Sequence, residues 1–555
     1  MIDIVFSHSY YYKFDAKQWK NQTPYPPLGT MYAASFLREN GYSVGIFDTN
    51  LLDDPKTIKP YLKQQLPKTF VLYDDGFNYL TKMCLTTMRE AAFEMIKIAK
   101  NQNCHIIVCS SDSTDHYEKY LNAGADFVIQ GEGEITLKEL VDALENNKDT
   151  SNIKGITFKK DDEVFKNPKR NVLRNLDELP LPAWDLINID LYKEVWARSG
   201  KQFTLNIATT RGCPFKCNWC AKPIYGTRYN SHSPEYITKH IKHLTETYGV
   251  HRFWMCDDIF GLKPNWVQNF NKELKKEKLS ISYYMQSRVD LLLKEDTIDA
   301  LTESGLEEVW VGAESGSQTI LDAMDKETKV EQIYKATHLL KEKNVRVAFF
   351  IQFGYLEETK EDISKTIKMI KELVPDDIGI SISYPLPGTK FYEKVKDDLK
   401  LKANWKDSDD LSMLFKGTFN SEYYKKLHRY THKEYRKSQA WEYFKAFIKN
   451  PFKVSRMGLR TILLSGYYIV FSFVYKTQLK YIKSTNQQFD IIFAGPPYPL
   501  PTLDTLPDVV FENNLVEGKG WFVLEHNPDH NFKKHKNFWR SRNYGQTIFS
   551  IFVNV

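Results

Sequence analysis

Three cysteines lie close together at Cys213, Cys217 and Cys220, in the run Thr-Thr-Arg-Gly-Cys-Pro-Phe-Lys-Cys-Asn-Trp-Cys. Three thiolates on one short loop can bind three irons of a cubane cluster and leave the fourth iron open to a substrate. Zinc sites instead favour two pairs of ligands that close a tetrahedron, and no second pair follows here. The spacing therefore predicts an iron–sulfur cluster. The alternative is three buried free cysteines, and a cluster of cysteines is more often explained by its chemistry than by its packing.

Other residues suited to binding a small molecule follow hydrophobic runs that predict β-strands. They are Asp257, Asp258, Arg288, Glu314, Gln352 and Gly354. The fork of an arginine side chain matches a carboxylate in geometry. The competing interpretation is structural, because an aspartate at a strand end often caps the next helix and an Arg–Glu pair can simply stabilise the fold.

The elements that position these residues alternate between strand and helix. The pattern predicts strands at 203–208, 252–256, 282–286, 308–311, 346–352 and 379–383, with the cysteine loop after the first strand. Polar or glycine residues at successive strand ends are typical of a parallel barrel whose chemistry lies at its C-terminal face. We therefore expect a partial (β/α)6 barrel over residues 201–400.

The first 145 residues alternate in the same way. Strands are predicted at 2–6, 43–47, 105–110 and 127–130, and helices at 28–40, 79–101, 115–123 and 136–145. This pattern indicates an α/β domain with a doubly wound, Rossmann-like parallel sheet. Its ligand would bind beyond the carboxyl ends of the strands, at loops 7–28, 48–51, 110–116 and 131–134. A proline-punctuated linker is expected over 146–200.

The cysteine motif, with Arg211-Gly212 before it and Trp219 before its last cysteine, resembles the radical S-adenosylmethionine (SAM) superfamily. The resemblance implies that the three cysteines bind a [4Fe-4S] cluster whose open iron chelates SAM. An electron from a flavodoxin- or ferredoxin-type donor would cleave SAM to a 5′-deoxyadenosyl radical, a reaction that belongs to the cofactors. The implied SAM contacts are Asp257 and Asp258 near the amino group, Arg288 and Glu314 near the carboxylate and ribose, and Gln352 and Gly354 near the adenine.

The N-terminal domain resembles the cobalamin-binding domain that precedes many radical SAM cores. The resemblance rests on Tyr25-Pro26-Pro27-Leu28-Gly29 before a helix and on the run 125–134, which ends in Gly-Glu-Gly-Glu. The implied cobalamin contacts are Pro27, Leu28, Gly29, Asp115, His116 and Glu132. The D-x-H-x-x-G motif is missing after the first strand, so we expect cobalamin without a protein histidine on cobalt. The alternative is a nucleotide-type fold that binds no such ligand.

Two reactions are typical of this combination of domains: methylation of an unreactive carbon, and the anaerobic magnesium-protoporphyrin monomethyl ester cyclase reaction. The segment Leu427-His428-Arg429-Tyr430-Thr431-His432-Lys433-Glu434-Tyr435-Arg436 resembles the helical region after the core in the cyclase-like group. This favours the cyclase-like group as a family without establishing a porphyrin substrate. We expect a small, apolar substrate. A methylthiotransferase fits less well, because that family has three further cysteines on its N-terminal domain.

The length of 555 residues and the composition predict a globular protein with several domains. The spacing of its seven cysteines shows no disulfide framework. No signal peptide is visible, and we expect a cytoplasmic protein. Residues 401–483 form a basic helical segment, and within it 411–480 hold 14 Lys/Arg and three acids. This aromatic, basic stretch is either a peripheral membrane surface or a solvated helical subdomain packed on the core.

The tail, residues 484–555, resembles the C-terminal half of the 16S rRNA guanine-N2 methyltransferases. Phe489-Asp490-Ile491-Ile492-Phe493-Ala494-Gly495-Pro496-Pro497-Tyr498 and Gly520-Trp521-Phe522-Val523-Leu524-Glu525-His526 carry the resemblance. That family has an Asp or Asn where this chain has Gly495, and its SAM-binding half is missing here. We expect a truncated, inactive appendage. The alternative is an RNA-associated protein that uses the basic segment and tail and keeps the cluster for structure only.

Overall fold

The computed structural model describes residues 2–78, 85–399, 404–408, 410–451, 454–484, 489–495, 503–512, 515–544 and 547–554, excepting the side chains of 478–484. The chain divides into two compact units, Met1–Ile462 and Leu463–Val555. The first unit contains both predicted α/β domains and most of the basic helical segment. The predicted start of the tail at residue 484 falls inside the second unit.

The N-terminal domain is built on a seven-stranded sheet in the order β2-β1-β3-β4-β5-β6-β7. The first five strands in that order are parallel, and β6 and β7 add an antiparallel hairpin. The strands are β1 Ile4–Ser7, β2 Val44–Phe47, β3 Thr69–Tyr73, β4 His105–Cys109, β5 Phe127–Ile129, β6 Ile156–Lys160 and β7 Glu163–Lys166. The predicted doubly wound parallel sheet is confirmed. The hairpin extends this sheet past the expected domain end at residue 145, into the segment predicted to be a linker.

The central strand β3, Thr69–Tyr73, was not among the predicted strands. It pairs with both β1 and β4, and all five of its residues are buried. A short, continuous apolar run is typical of a strand buried on both faces of a parallel sheet. That signal was present in Thr-Phe-Val-Leu-Tyr, and the two aspartates that follow it, Asp74 and Asp75, were missed with the strand.

The helices of this domain cover the sheet. They are α1 Ala16–Asn21, α2 Leu28–Glu39, α3 Ile58–Gln65, α4 Thr86–Lys100, α5 Ser111–Asp115, α6 Tyr117–Asn122 and α7 Glu134–Glu145. The predicted helix 115–123 corresponds to α6, and the short helix α5 directly before it was not predicted. The first six residues of the predicted helix 79–101 lie outside the described residues. Helix α8, Ile189–Ser199, follows the hairpin.

A second sheet of six parallel strands carries the cysteine loop, in the order β15-β14-β13-β12-β11-β8. All six predicted strands are present with small shifts at their ends, which confirms the partial barrel. The strands are β8 Leu205–Ile207, β11 Arg252–Met255, β12 Ser282–Ser287, β13 Leu306–Glu314, β14 Arg346–Phe353 and β15 Asp377–Ile382. Between β8 and β11, the short strands β9 Thr210–Arg211 and β10 Asn230–Ser231 pair antiparallel and bracket the cysteines.

Alternate residues of this sheet differ in burial. Phe253, Val309 and Phe349 are fully buried, whereas Trp254 and Trp310 on the opposite face remain partly exposed. Side chains of a strand alternate between the two faces of its sheet, so one face is the core and the other lines an accessible lumen. The helices that follow are α9 Pro234–Tyr248, α10 Trp266–Lys276, α11 Val289–Leu292, α12 Thr297–Glu303, α13 Gln318–Ala323, α14 Val330–Glu342, α15 Lys360–Leu373 and α16 Lys390–Val395.

The basic segment begins with the long helix α17, Ser421–Lys449. Its first part packs on the barrel, where the buried Tyr435 hydroxyl donates to the carbonyls of Pro375 and Asp376 at 3.0 and 2.7 Å. Its last turns expose Trp441, Phe444 and Ile448. The segment thus combines a part packed on the core with an apolar exposed end. Helix α18, Arg456–Leu463, comes next.

The second unit begins with helix α19, Ser465–Ser484, and continues into a four-stranded sheet in the order β16-β17-β19-β18. The strands are Phe489–Ala494, Val516–His526, Phe538–Tyr544 and Thr547–Val553, and helix α20 is Leu506–Glu512. Its small core is formed by Leu503, Val516, Phe522, Leu524 and Phe552. Within the described residues β16 pairs with one strand, β17, and so forms an edge of this sheet.

Candidate cluster and cofactor site

The loop that holds the cysteines is anchored where it leaves strand β8. Asp257, 1% exposed, accepts hydrogen bonds from the backbone N–H groups of Thr209 and Thr210 at 2.7 and 2.6 Å. The two threonine hydroxyls donate to the same carboxylate at 2.9 Å each. Burial nevertheless raises the pKa of Asp257 to about 7. Because both oxygens serve the loop, this side chain positions the cysteines, and its contact with the SAM amino group stays a prediction.

The three thiols lie on one turn at the carboxyl end of the sheet. The Cys220 N–H donates to the Cys217 carbonyl at 3.3 Å, and Lys222 donates to the Phe215 carbonyl. Burial, with Asp258 and the other thiols nearby, raises the pKa of Cys220 to about 12, and burial also raises that of Cys213. In the described part of the chain no three ligand side chains converge as a preformed metal site. A metal cluster would keep the three sulfurs ionised, so the donor set fits.

Asn218, which lies between the last two cysteines, was not predicted as a site residue. Its side-chain amide donates to the Ala323 carbonyl and accepts from the Tyr355 hydroxyl, each at 2.7 Å. Its backbone N–H donates to the Met324 carbonyl at 3.0 Å. Asn218 therefore fastens the cysteine turn to the residues that follow strands β13 and β14. Its position inside the cysteine motif was the signal that could have identified it.

Arg288, a predicted SAM contact, lies against the cysteine turn. Its guanidinium carbon is 3.7 Å from the centre of the Phe215 ring, and Nη1 is 3.9 Å from the Cys217 sulfur. Asp290 holds the other side of the guanidinium, with distances of 2.9 and 3.2 Å to Nε and Nη2. The structure thus shows Arg288 beside the sulfurs.

Glu314, the second predicted contact for the SAM carboxylate and ribose, forms a buried ion pair with Lys326 at 2.9 Å. Lys326 was missed, because nothing in its local sequence distinguishes it from a surface lysine. Its ammonium group lies 6.0 Å from the centre of the Trp219 ring. A β-carbon on Gly312 would be 2.6 Å from the lysine Nζ, so the pair packs directly over that glycine. The fold therefore brings one cation and one anion together beside the cysteine turn.

The remaining predicted SAM residues line the same edge. Gln352 is buried and donates to the Ser383 hydroxyl at 2.8 Å. Gly354 has a φ of 79°, and its N–H donates to Glu358 at 2.7 Å. Asp258 is exposed, and its negative charge contributes to the raised pKa of Cys213 and Cys220. These residues share one end of the sheet, as strand-end residues of a parallel sheet must.

In the N-terminal domain, Pro27, Leu28 and Gly29 begin helix α2 at the carboxyl edge of the sheet. The Gly29 N–H donates to Asp75 at 3.0 Å, and a β-carbon on Gly29 would lie 3.2 Å from the Asp75 α-carbon. Asp74 accepts from the backbone N–H and the hydroxyl of Ser9 at 2.7 and 2.9 Å. The two missed aspartates therefore organise the predicted ligand loops.

The same edge holds several buried polar atoms without a hydrogen-bond partner. They are the Tyr73 hydroxyl, the Ser111 hydroxyl, the His116 Nε2, the Gln130 Nε2 and one oxygen of Glu134. Buried polar groups are nearly always paired, so a cluster of unpaired ones at one edge indicates a missing ligand. The set offers donors and acceptors to a large ligand rich in amides and hydroxyls. The residues present therefore fit cobalamin.

The other predicted cobalamin contacts lie around this edge. Burial and the nearby Asp112 raise the pKa of Asp115 to about 7. Burial lowers the pKa of His116, whose Nε2 is 3.8 Å from an Asp112 oxygen. Glu132 forms an ion pair with Arg211 at 2.5 Å. His8 bonds through its ring to Asp48 at 2.9 Å and to Thr49 at 3.2 Å, and the absence of a protein histidine on cobalt stays a prediction.

A six-stranded parallel sheet with three cysteines on the loop after its first strand defines a radical SAM core. The family model for the radical SAM superfamily matches residues 207–370. Residues 464–553 match a different family model, described as conserved hypothetical protein 95.

Curated relatives match over most of the chain. An uncharacterized methyltransferase of Pyrococcus horikoshii is 31% identical over 411 residues, which cover 73% of this chain and 86% of the relative. The anaerobic magnesium-protoporphyrin IX monomethyl ester cyclase of Rubrivivax gelatinosus is 25% identical, over 72% of this chain and 71% of the cyclase. The chain belongs to the radical SAM superfamily, in the family of the Pyrococcus protein.

Two solved structures share the fold. The radical SAM methyltransferase TsrM of Kitasatospora setae, with cobalamin and a [4Fe-4S] cluster bound, has a TM-score of 0.60 and 16% identity, over 72% of this chain and 75% of TsrM. The cobalamin-dependent SAM radical enzyme OxsB, with aqua-cobalamin bound, has a TM-score of 0.64 and 17% identity, over 87% of this chain and 73% of OxsB. At these identities the likeness concerns the fold, and it agrees with the predicted α/β fold class.

Gly212→Ala tests the geometry of the cysteine loop. Gly212 has a φ of 80°, and a β-carbon there would lie 2.0 Å from the Arg228 carbonyl oxygen. Gly249 has a φ of 68° with nothing within 4 Å of such a carbon. Both substitutions destabilise the folded state by about 1 kcal/mol, because alanine disfavours the left-handed backbone. Only Gly212→Ala adds a clash. We expect Gly212→Ala to lower the melting temperature and iron content well below Gly249→Ala; equal values for the two variants would contradict this.

Asp115→Asn tests whether the Asp115 carboxyl, at the carboxyl edge of the N-terminal sheet, has a raised pKa in the folded protein. The folded protein keeps the Asp115 proton up to a pKa of about 7, whereas the ordinary value is 3.8. Between these values the folded state binds more protons than the unfolded chain, so stability falls as pH rises through this window. Asp115→Asn should remove that fall and stabilise the protein by about 1–2 kcal/mol at pH 8 but not at pH 4. Urea unfolding at both pH values measures it, with the exposed Glu118→Gln as control. A gain that is the same at both pH values would refute the assignment.

Proposed function

We propose that this chain is a cobalamin-dependent radical SAM enzyme that modifies an unactivated carbon of a small, apolar substrate by methylation or oxidative cyclisation. The observation that carries the proposal is the cysteine turn, fastened by Asp257 and Asn218 to the edge of the barrel where Arg288 and the Glu314–Lys326 pair also lie. When bound, the cluster supplies the electron that cleaves SAM, and cobalamin supplies a carrier for a methyl group.

The residues of the barrel edge have separate tasks in this proposal. Cys213, Cys217 and Cys220 bind the cluster, and Arg288 offsets the negative charge of the sulfurs. Lys326 and Glu314 meet the carboxylate and the amino group of SAM, since a zwitterion suits a site that presents one cation and one anion. Gln352 and Gly354 lie beside the adenine, and the exposed Asp258 faces the amino end.

The N-terminal edge binds cobalamin in this proposal. Pro27, Leu28 and Gly29 form the entry to α2 against the ligand, and Ser111, His116 and Gln130 offer unpaired polar atoms to it. The TsrM and OxsB structures carry cobalamin on the same fold. The electron donor is a low-potential flavodoxin- or ferredoxin-type protein, because the cluster needs one electron for each cleavage.

Two reaction types remain as alternatives, and the relatives favour both. One curated relative is named as a methyltransferase and another as a cyclase of a magnesium porphyrin ester. The partly exposed lumen side chains Trp254, Tyr284, Trp310 and Phe350 are aromatic, which suits an apolar substrate in either reaction.

Replacement of the cysteines tests the function. Cys213→Ala, Cys217→Ala and Cys220→Ala should each lower the bound iron and sulfide and abolish reductive release of 5′-deoxyadenosine from SAM, measured anaerobically by chromatography. Cys104→Ala is the matched control, because Cys104 is a buried thiol that lies 3.4 Å from the Pro67 carbonyl oxygen. It should retain both properties.

Either of two results would contradict the proposal. Release of 5′-deoxyadenosine by the cysteine variants would exclude these ligands. Full iron in the unchanged protein without any 5′-deoxyadenosine would instead favour the RNA-associated alternative, in which the cluster is structural.

The exposed end of α17 makes peripheral contact with a membrane in this proposal. Trp441 and Ile448 are 58% and 67% exposed, and the surrounding segment 411–480 carries 14 Lys/Arg against three acids. Aromatic and aliphatic side chains among basic ones are typical of helices that lie on anionic lipid surfaces. Among the described residues no single helix passes the length and apolarity test for a membrane span, although the adjacent pair that begins at Arg456 and Ser465 passes it jointly.

Sedimentation with lipid vesicles tests this contact. The protein should pellet with phosphatidylglycerol vesicles at about 50 mM salt and much less at 500 mM, because screening weakens the attraction of the basic segment. Trp441→Ser with Ile448→Ser should reduce pelleting several-fold. The control is Leu66→Ser, which removes an apolar side chain that is 60% exposed in the N-terminal domain. Equal pelleting of all three proteins would exclude α17 as the contact.

The second unit does not add an rRNA methyltransferase activity in this proposal. Gly495 stands where the resembling family carries the Asp or Asn that accepts a hydrogen bond from the base, and a β-carbon there would lie 3.0 Å from Glu525 Oε2. The Pro496-Pro497-Tyr498 part of that motif lies outside the described residues. A fold without its site does not carry the function.

A further inference from the structure

Arg211 is a buried cation directly before the cysteine turn. Its side chain is 3% exposed and lies among three aromatic rings. The guanidinium carbon is 5.5, 5.8 and 5.1 Å from the ring centres of Tyr32, Phe77 and Tyr225. Burying a charge costs free energy unless ionic or hydrogen-bonding partners compensate it, so the partners of Arg211 indicate its role.

Both ionic partners follow β5 in the N-terminal domain, Glu132 in the loop and Glu134 as the first residue of α7. Arg211 Nη1 is 2.5 Å from Glu132 Oε1, and Nη2 is 2.7 Å from Glu134 Oε1. The second oxygen of Glu132 accepts the Leu173 N–H at 2.5 Å. One barrel residue therefore binds two acids of the domain that carries the cobalamin edge.

The second oxygen of Glu134 is different. It is buried and has no hydrogen-bond partner, and Glu134 as a whole is 2% exposed. Two other unpaired buried groups, the Tyr73 hydroxyl and the Gln130 Nε2, lie at the ends of strands β3 and β5, which flank β4 in the sheet. A β-carbon on Gly133 would lie 2.9 Å from the Tyr73 hydroxyl, so this glycine admits the tyrosine beside Glu134.

Arg211 has little freedom relative to the first cysteine. It is the last residue of β9 and pairs with Asn230 of β10. Only Gly212 separates it from Cys213, and the glycine packs against the Arg228 carbonyl. The position of Arg211 therefore sets the position of the first cluster ligand.

We propose that Glu134 is a binding residue whose second oxygen accepts an N–H or O–H donor of the ligand at the N-terminal edge, and that Arg211 is the positioning residue that fixes this contact relative to the cysteine turn. The inference rests on the proposed function, in which that ligand is cobalamin. Primary amides at the rim of a corrin supply donors of the required type. A carboxylate held by arginine through one oxygen keeps the other available in a constant place.

Binding of hydroxocobalamin to the full anaerobically prepared chain, followed by its visible absorption, tests the inference. Glu134→Gln keeps the size of the side chain but loses the charge, and it should weaken binding roughly tenfold, the worth of one hydrogen bond to a charged group. Its iron content should be unchanged, because the three cysteines are intact and Glu132 still pairs with Arg211.

Arg211→Lys keeps the charge but loses the fork that joins two carboxylates. It should weaken hydroxocobalamin binding and also alter the electron paramagnetic resonance spectrum of the reduced cluster, because it changes both ends of the connection. The matched control is Arg38→Gln, which breaks an exposed ion pair with Asp185 at 2.7 Å between the N-terminal domain and the following segment. It should leave both readouts unchanged.

Three results would overturn the inference. Hydroxocobalamin binding by Glu134→Gln equal to that of the unchanged protein would remove Glu134 from the site. An unaltered cluster spectrum in Arg211→Lys would remove its positioning role. Absence of hydroxocobalamin binding in the unchanged protein would overturn both this inference and the cobalamin assignment, whereas 5′-deoxyadenosine release would still report separately on the radical SAM function. Melting curves show whether a variant has failed to fold, and Glu134→Asp then supplies a second test of the same contact.

Discussion

The site depends on one constraint: a loop of irregular backbone must hold three thiolates in place at the open end of a sheet. Buried polar side chains from three directions meet this requirement. Asp257 binds the start of the loop from strand β11, and Asn218 fastens its middle to the residues after β13 and β14. Arg211 ties it to the N-terminal domain. Each of these contacts replaces a hydrogen bond to water by a fixed one, which is how a loop without regular structure acquires a single conformation.

The two α/β domains place their carboxyl edges to serve one reaction. The barrel edge presents Arg288, Glu314 and Lys326 near the cysteines, and their charges are paired before any ligand enters. The N-terminal edge instead leaves polar atoms of Tyr73, Ser111 and Gln130 without partners. A ligand that carries its own charges, such as SAM, suits the first edge, and one with many neutral amides suits the second.

The C-terminal parts show how far local composition can mislead. The basic segment gave two interpretations, a subdomain packed on the core and a membrane surface, and the first holds for the start of α17. Tyr435 and its neighbours are packed on the barrel, while Trp441 and Ile448 are exposed. The tail forms a small hydrophobic core around Phe522 and Phe552 and has Gly495 before Pro496-Pro497-Tyr498.

The sequence by itself determined the cluster chemistry, both α/β domains and all six barrel strands, five of which are followed by predicted site residues. It could do so because cysteine spacing and hydrophobic alternation are local patterns. It missed the central strand β3, whose short apolar run lies between loops, and with it Asp74 and Asp75. It named Arg211 and Glu134 only as parts of motifs, and it did not single out Asn218 or Lys326. Only the tertiary structure decided the contacts of these side chains, because each depends on a partner distant in the chain, such as Arg211 with Glu134 and Asn218 with Tyr355. Whether a charged side chain is exposed or buried against such a partner is a property of the packing, and no local pattern encodes it.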